Sequence, residues 1–198
     1  MYDTSNSIVW SKGPTGLKLM TKNFSKHDEY REWDPYESEL AAAMINGLEI
    51  FPIQKNSKVL CLDKNFEFTL NHLLDIIGID GKINLISKKN STHELQKNYE
   101  NFSNIDIIDI SLKNFPNDFD VFYINIPEEN SFEIIKKLKT NLKKDGYFLL
   151  ILNTDEIRES DSEPTSLFQQ IKSSFEIIQV VFLDSYFKNQ TMILGRQI

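Results

Sequence analysis

The chain has 198 residues, 40% of them apolar and 26% charged, which suits one globular domain with a sizeable core. It has no apolar run of the roughly 18 residues that a membrane-spanning helix needs, and no secretory signal is visible at its start, so we expect no membrane association. The formal net charge of -7 argues against a broad RNA-coating surface, because nucleic-acid affinity depends on basic side chains that displace counterions from phosphates.

The first 30 residues are polar and mixed, with short strand-like pieces at residues 8–10 and 17–20. A turn at Gly13-Pro14 separates these pieces. We therefore predict a short N-terminal extension over residues 1–30, followed by one domain over residues 31–198.

A helix is predicted from about residue 36, because apolar side chains recur there every four residues, at Tyr36, Leu40, Met44 and Leu48. Asp34 is a better candidate for the N-cap than Ser38, and Pro35 suits the first turn of a helix.

Strand-like and helix-like segments alternate over the rest of the chain. The predicted strands cover residues 58–62, 82–86, 105–108, 120–126, 147–152, 175–183 and 190–194. The predicted further helices cover residues 69–77, 92–101, 131–142 and 164–173. Alternation implies a mainly parallel sheet, and the last two strands are too close in sequence for a helix between them, so they should form an antiparallel hairpin. This order predicts an α/β protein with the Rossmann-like class I methyltransferase fold, a seven-stranded sheet ending in an antiparallel hairpin.

Two sequence motifs carry a resemblance to a known family. Residues 30–43 read YREWDPYESELAAA, which resembles the motif YREWNPxRSKLAAAI of the fibrillarin family. Residues 72–78, HLLDIIG, and the following Gly81-Lys82-Ile83 resemble the family's HVSDIVG…GKI. The match runs from about residue 30 to the end, and without a glycine/arginine-rich tail the chain is more similar to archaeal members.

The resemblance implies a class of activity. Fibrillarins use S-adenosylmethionine to methylate ribose 2′-hydroxyls in ribosomal and transfer RNA. A guide RNA selects the site, and a Nop-family scaffold protein holds the enzyme in a ribonucleoprotein particle. Whether this chain can do the same depends on its site residues.

The loop after the first sheet strand departs from the family pattern. The family has LGxxxGTT there, where glycines let the backbone approach the cofactor. This chain has LDKNFEFT at residues 62–69, so Asp63 and Glu67 take the glycine positions and Thr69 ends the motif. Two like charges about 4 Å apart repel by about 4 kcal/mol at an effective dielectric of 20. We expect that this loop does not hold S-adenosylmethionine, although an altered loop that binds another small ligand is a weaker alternative.

Two further cofactor positions follow the next strands. The family ends its second strand with an acid that binds the cofactor ribose, whereas this chain has Ser87. Asp109, after the third strand, matches an acid near the adenine, but the simpler interpretation is that it caps a following turn. One matching contact does not make a site, so no cofactor is expected.

All four catalytic positions of the family are changed. The resemblance places a Lys–Asp–Lys–His set at positions that this chain fills with Glu39, Asn125, Asn153 and Gln190. Asparagine and glutamine cannot take a proton near neutral pH, and losing one general acid–base group typically costs about 10²–10⁴ in rate. Glu39 also reverses a charge. We therefore expect no catalytic residue to be intact.

Other features have mainly structural interpretations. The single cysteine, Cys61, cannot form an internal disulfide and is predicted to be a packed thiol in a cytoplasmic protein. His72 is expected to be structural, and no spacing indicates a metal site. The acidic loop at residues 155–163 should repel phosphate. A basic cluster could meet RNA or an acidic partner, but a solvated helix face is the simpler interpretation for Lys136, Lys137, Lys139, Lys143 and Lys144.

Two functions remain in competition. The favoured hypothesis is a pseudoenzyme of the fibrillarin family that binds a protein partner, either a Nop-family scaffold or an active fibrillarin, in rRNA and tRNA processing. RNA contact would then be weak or indirect. The alternative is an active, guide-directed RNA 2′-O-methyltransferase with an atypical site.

Overall fold

The computed structural model describes residues 7–198, except 15, 25, 27–28, 88–96, 98, 101, 110–115, 127 and 159–166. Most of the predicted helix over 92–101 and much of the acidic loop over 155–163 therefore lie outside the described residues. The strands are β1 (Ile8–Gly13), β2 (Gly16–Lys22), β3 (Tyr30–Glu32), β4 (Lys58–Asp63), β5 (Lys82–Ser87), β6 (Ile105–Asp109), β7 (Phe119–Asn125), β8 (Leu142–Asn153), β9 (Glu176–Phe182) and β10 (Gln190–Arg196). The described helices are α1 (Glu39–Ile45), α2 (Phe66–Ile77), α3 (Glu128–Leu138), α4 (Thr154–Arg158) and α5 (Leu167–Ser174), with a 3₁₀ turn at Lys139–Asn141.

The main sheet has seven strands in the order β6-β5-β4-β7-β8-β10-β9. The strands from β6 to β8 pair in parallel, and β10 runs antiparallel between β8 and β9. The predicted class I methyltransferase fold is confirmed. Strand order reverses direction between β4 and β7, and open α/β sheets bind their ligands outside the carboxyl ends of the strands at such a point.

Both faces of the sheet are covered by helices. On β4, Val59 and Cys61 belong to the core on the side of α1 and α2, whereas Leu60 and Leu62 belong to the core on the side of α3 and α5. Successive strand residues point to opposite faces, so a strand buried on both sides is apolar throughout. This explains why the sheet strands could be recognised as short apolar runs.

The N-terminal region forms a separate antiparallel sheet, β1-β2-β3. The predicted strand pieces at residues 8–10 and 17–20 lie in β1 and β2. The third strand, Tyr30–Glu32, was not predicted, because three residues without an apolar run are too short a segment to indicate a strand. It crosses the boundary between residues 30 and 31, and that division of the chain stays a prediction.

The start of the first helix was wrongly predicted. Helix α1 begins at Glu39, and the Ser38 side chain is its N-cap and accepts from the Ala41 amide. Asp34 instead accepts from the Tyr36 amide at 2.8 Å and holds a turn that precedes the helix. Tyr36 is 70% exposed, so it does not belong to the buried helix face.

Other helix limits also differ. Helix α2 begins at Phe66 rather than at residue 69, and α3 ends at Leu138, because Leu142 already starts β8. The short helix α4, which directly follows β8, was not predicted. Its residues are mostly polar, so apolar side chains do not recur there at helical spacing.

Candidate functional site

The site lies at the carboxyl ends of β4 and β7. Asp63 and Asn125 are register partners on these strands, so their side chains share one face of the sheet. Asn125 Nδ2 donates to Asp63 Oδ1 at 2.8 Å, and the Lys64 amide donates to the Asn125 carbonyl at 3.0 Å. Two residues predicted from separate family motifs are therefore in direct contact.

Glu39 reaches the same place from helix α1. It is 1% exposed, and its Oε1 lies 3.8 Å from Lys64 Nζ. Asn65 links the two carboxylates, because its amide donates to Asp63 Oδ1 at 2.9 Å while its Nδ2 lies 3.4 Å from Glu39 Oε1. Two acidic side chains are thus buried around one turn of backbone.

Thr69 joins the two helices above this turn. It is fully buried in α2, and its Oγ1 shares a hydrogen bond of 3.0 Å with Ser38 Oγ at the N-cap of α1. Since Ser38 directly precedes Glu39, this bond helps to fix the Glu39 side chain over the end of β4.

The electrostatics of the cluster favour neutral side chains. Burial raises the pKa of Asp63 to about 6; the Asn65 amide lowers it and the charge of Glu39 raises it. Burial, followed by the charges of Asp63 and Glu39, raises the pKa of Tyr123 well above its ordinary value. Sequence reasoning missed Tyr123, which lies two residues before Asn125 on the same face, and its position in an apolar strand gave no indication of a polar role.

The turn after β4 is short and adopts ordinary backbone angles. Only residues 64 and 65 separate β4 from α2. The residues with positive φ in the described part of the chain all lie elsewhere, so the turn over 62–69 has no left-handed residue. Glu67 is exposed in the first turn of α2, Phe68 is 44% exposed, and Phe66 lies against Tyr99 with ring centroids 6.3 Å apart.

Asn153 and Gln190 form a second group on neighbouring strands. They are antiparallel register partners at the ends of β8 and β10. Asn153 Oδ1 accepts from the Asp155 amide at 3.0 Å, whereas Gln190 Oε1 is buried without a hydrogen-bond partner. Beside them, the hydroxyl of Thr154 at the start of α4 contacts the hydroxyl of Thr191 on β10 at 2.9 Å. Among the residues that the structure describes, no hydrogen bond or ion pair joins this group to the Glu39–Asp63 cluster.

Ser87 and Asp109 are register partners at the ends of β5 and β6. Their backbones therefore lie at the same edge of the sheet as Asp63. Their side chains are outside what the structure describes, so their roles stay predictions.

His72, Arg31 and Trp33 belong to a different buried network. Thr21 Oγ1 donates to Asp75 Oδ2 at 2.8 Å and lies 2.8 Å from His72 Nδ1, so the hydroxyl accepts from that ring nitrogen. Burial, then the charge of Arg31, lowers the pKa of His72 to about 4. The His72 ring also stacks on Trp33 with centroids 4.7 Å apart. These contacts join the N-terminal sheet to α2, which is a structural role.

The remaining features have ordinary surroundings. Cys61 is a free, fully buried thiol, as packing in β4 predicts. In the basic cluster, Lys143 pairs with Asp120 at 2.6 Å and Lys139 Nζ donates to the Ser174 carbonyl at 2.9 Å. Over the described ranges, no group of three or more histidine, cysteine, aspartate or glutamate side chains is placed to hold a metal ion. None of the described helices has the length and apolar character to cross a bilayer.

Comparison with known proteins gives one consistent result. The fibrillarin family model matches residues 16–198. A fibrillarin-like rRNA/tRNA 2′-O-methyltransferase from Saccharolobus islandicus is 32% identical, over 92% of this chain and 84% of that protein. A Methanococcus jannaschii fibrillarin, described as a pre-rRNA processing protein, is 26% identical, with a TM-score of 0.76 over 100% of this chain and 99% of its own. A fibrillarin solved as a fibrillarin/Nop5p complex has a TM-score of 0.77 at 21% identity, covering 98% of each chain, and is alike in fold.

Proposed function

The chain belongs to the fibrillarin family, and from this premise we propose that it is a member without methyl-transfer activity, a protein-binding subunit of the RNA 2′-O-methylation machinery. Its curated relatives are rRNA/tRNA 2′-O-methyltransferases. The observation that carries the proposal is the pair of buried acids, Glu39 and Asp63, beside the turn that follows β4.

The residues of this turn do not fit S-adenosylmethionine. The fold directs a ligand to the carboxyl ends of β4 and β7, and the amino-acid end of S-adenosylmethionine carries a carboxylate directly beside its ammonium group. Asp63 is 7% exposed and, with a pKa of about 6, is largely ionised above neutral pH. A ligand carboxylate placed there would meet this charge and that of Glu39 away from water, where repulsion is strong. We derive no step through this cofactor.

The catalytic positions support the same conclusion. Asn125 uses its amide nitrogen to donate to Asp63, so it acts as a hydrogen-bond donor where the family has an aspartate. Asn153 and Gln190 are amides as well, and an amide cannot remove a proton from a ribose hydroxyl. None of these side chains provides a general base.

Binding a protein partner is the function that the fold can still serve without methyl transfer. A relative was solved as a fibrillarin/Nop5p complex, which supports a Nop-family scaffold as the partner of this chain. An active fibrillarin in the same particle is the other partner that we propose. The net charge of -7 supports weak or indirect RNA contact, and a cytoplasmic location, expected from the single cysteine, remains part of the proposal.

Methyl incorporation into guide-paired RNA tests the loss of activity. The chain is assembled with a Nop-family scaffold and a guide RNA, and an active archaeal fibrillarin serves as the positive control. We expect incorporation at the level of the protein-free reaction, together with recovery of the scaffold when the tagged chain is purified. Guide-dependent incorporation that Asn125→Ala abolishes would contradict the proposal and establish the active-enzyme alternative.

A further inference from the structure

Three oxygen atoms in the Glu39–Asp63 cluster have no hydrogen-bond partner although they are buried. They are Glu39 Oε2 on α1, Asp63 Oδ2 on β4 and Tyr123 OH on β7. The three side chains are 1%, 7% and 0% exposed. Buried polar atoms are nearly always paired, and each unpaired one costs about 1–3 kcal/mol, so three in one cluster need a physical explanation.

The three side chains meet between α1 and the sheet. Tyr123 pairs in register with Cys61, and Asn125 pairs with Asp63, so the tyrosine and both strand-end side chains lie on the face of the sheet that α1 covers. Asn65 joins Asp63 Oδ1 to Glu39 Oε1, which brings the two carboxylates around one residue. The charges of both acids act to raise the pKa of the Tyr123 phenol.

Protein donors near the cluster are already used. Asn125 Nδ2 and the Asn65 amide both donate to Asp63 Oδ1, which leaves Oδ2 without a donor. The Thr69 hydroxyl acts to lower the pKa of both Asp63 and Tyr123, but it has a single proton and already shares a hydrogen bond with Ser38 Oγ. Lys64 Nζ lies 3.8 Å from Glu39 Oε1 and offsets one negative charge. One carboxylate charge and three acceptor oxygens are left over.

We propose that Glu39 Oε2, Asp63 Oδ2 and Tyr123 OH form a binding site for one small monovalent cation, either an alkali metal ion or a primary ammonium group that has no carboxylate beside it. Both kinds of cation are recognised by the same chemistry. A primary ammonium group has three N–H donors for three acceptor oxygens, and an alkali ion takes oxygen ligands. A divalent ion fits less well, because one net negative charge would leave it unbalanced.

Thermal unfolding of the full chain in different chloride salts tests this site at constant ionic strength, near pH 8 so that Asp63 is ionised. Tetramethylammonium is the reference cation, since it is bulky and has no N–H donor. We expect the Tm to rise by about 3 °C in potassium, sodium, ammonium or methylammonium chloride, as mass action predicts for a ligand well above its Kd. A rise with the metal salts alone identifies a metal site, and a rise with the ammonium salts identifies an amine site.

Matched variants locate the effect. Asp63→Asn, Glu39→Gln and Tyr123→Phe should each remove the salt-dependent rise, whereas Glu67→Gln, which changes an exposed acid in the same turn, should keep it. Lys64→Met should enlarge the rise, because the competing internal ammonium group is removed. Three variants of different side chains guard against a folding defect in any one of them.

Two results would overturn the inference. The first is one and the same Tm in all five salts, which would mean that a buried water serves the three oxygens. The second is a salt-dependent rise that persists in both Asp63→Asn and Glu39→Gln. No methyl donor is used, so a failure here leaves the proposed loss of methyl transfer standing, and methyl transfer could be found without affecting this test.

Discussion

Two buried carboxylates on the same side of the sheet, Asp75 and Asp63, both have a pKa raised by burial but differ in their partners. Asp75 accepts from the Phe24 amide at 3.1 Å and from Thr21 Oγ1 at 2.8 Å, and Arg31 Nε lies 3.1 Å from its Oδ2. Asp63 has one unpartnered oxygen, and the charge of Glu39 acts on it unfavourably.

This difference separates the contacts of Asp75, which stabilise the fold, from those of Asp63, which do not. The cost of a buried charge is reduced when every oxygen has a donor and an opposite charge is near. Asp75 meets this condition: burial raises its pKa, but Thr21, the Phe24 amide and Arg31 all act to lower it. This network joins the N-terminal sheet to α2. The Asp63 cluster does not meet this condition, and imperfect satisfaction of this kind is expected where a ligand, rather than stability, has determined the residues.

The largest expected effect comes from breaking the satisfied network. Asp75→Ala should destabilise the chain by about 3 kcal/mol, because Thr21 and the Phe24 amide lose their acceptor and the Arg31 charge loses its partner. Urea unfolding measures the change. Asp75→Asn, which keeps an acceptor, should lose less, and equal losses would show that charge and hydrogen bonds at Asp75 are not what stabilises the junction.

Removing the charge of Asp63 should have the opposite sign. The pKa of Asp63 is raised from 3.8 to about 6 in the folded state, so folding favours the protonated form. Its ionisation therefore costs nothing below about pH 4, and stability falls as the pH rises from there to about 6. In tetramethylammonium chloride, which supplies no cation that fits the cluster, Asp63→Asn should stabilise the chain by about 2 kcal/mol at pH 8 and leave it unchanged at pH 4.

Unfolding free energies of the wild type and Asp63→Asn across this pH range measure the effect. A variant that is less stable than the wild type at pH 8 would show that the carboxylate is favourably held. The contrast between an unfavourably held Asp63 and a well-partnered Asp75 would then be wrong.

The smallest effect concerns the bond that holds Glu39 in place. Ser38→Ala removes both the N-cap of α1 and the 3.0 Å contact with Thr69, and should destabilise the chain by about 1 kcal/mol. Asp34→Ala is the matched control, since Asp34 holds only an exposed turn. Thermal unfolding measures both variants. If Asp34→Ala lowers the Tm more than Ser38→Ala does, then Asp34 is the functional cap.

The sequence was sufficient for the sheet and insufficient for its polar contacts. Apolar runs identify β4, β7 and β8 because buried parallel strands need apolar residues on both faces. The strand β3 has no such pattern, and it is recognised as a strand only through its pairing with β2. The N-cap was misassigned because Asp34 and Ser38 are both good caps, and only the three-dimensional path of the chain decides between them.

The candidate site was only partly predictable for the same reason. The family resemblance identified Glu39, Asp63 and Asn125 from three separate motifs, and register between β4 and β7 brings two of them together. Tyr123 could not be recognised, since an aromatic residue in a buried strand is normally part of the core. Its unpartnered hydroxyl becomes visible only when the carboxylates are placed beside it.

The most direct test of the account is a calorimetric titration of the wild-type chain with S-adenosylmethionine, beside the double variant Asp63→Gly/Glu67→Gly. An active archaeal fibrillarin calibrates the heats. We predict no saturable heat for the wild type, because Asp63 and Glu39 repel the ligand carboxylate. The double variant should bind S-adenosylmethionine with a measurable heat, since the carboxylates of the turn are removed. Saturable binding by the wild type, of the strength that the control enzyme shows, would contradict it.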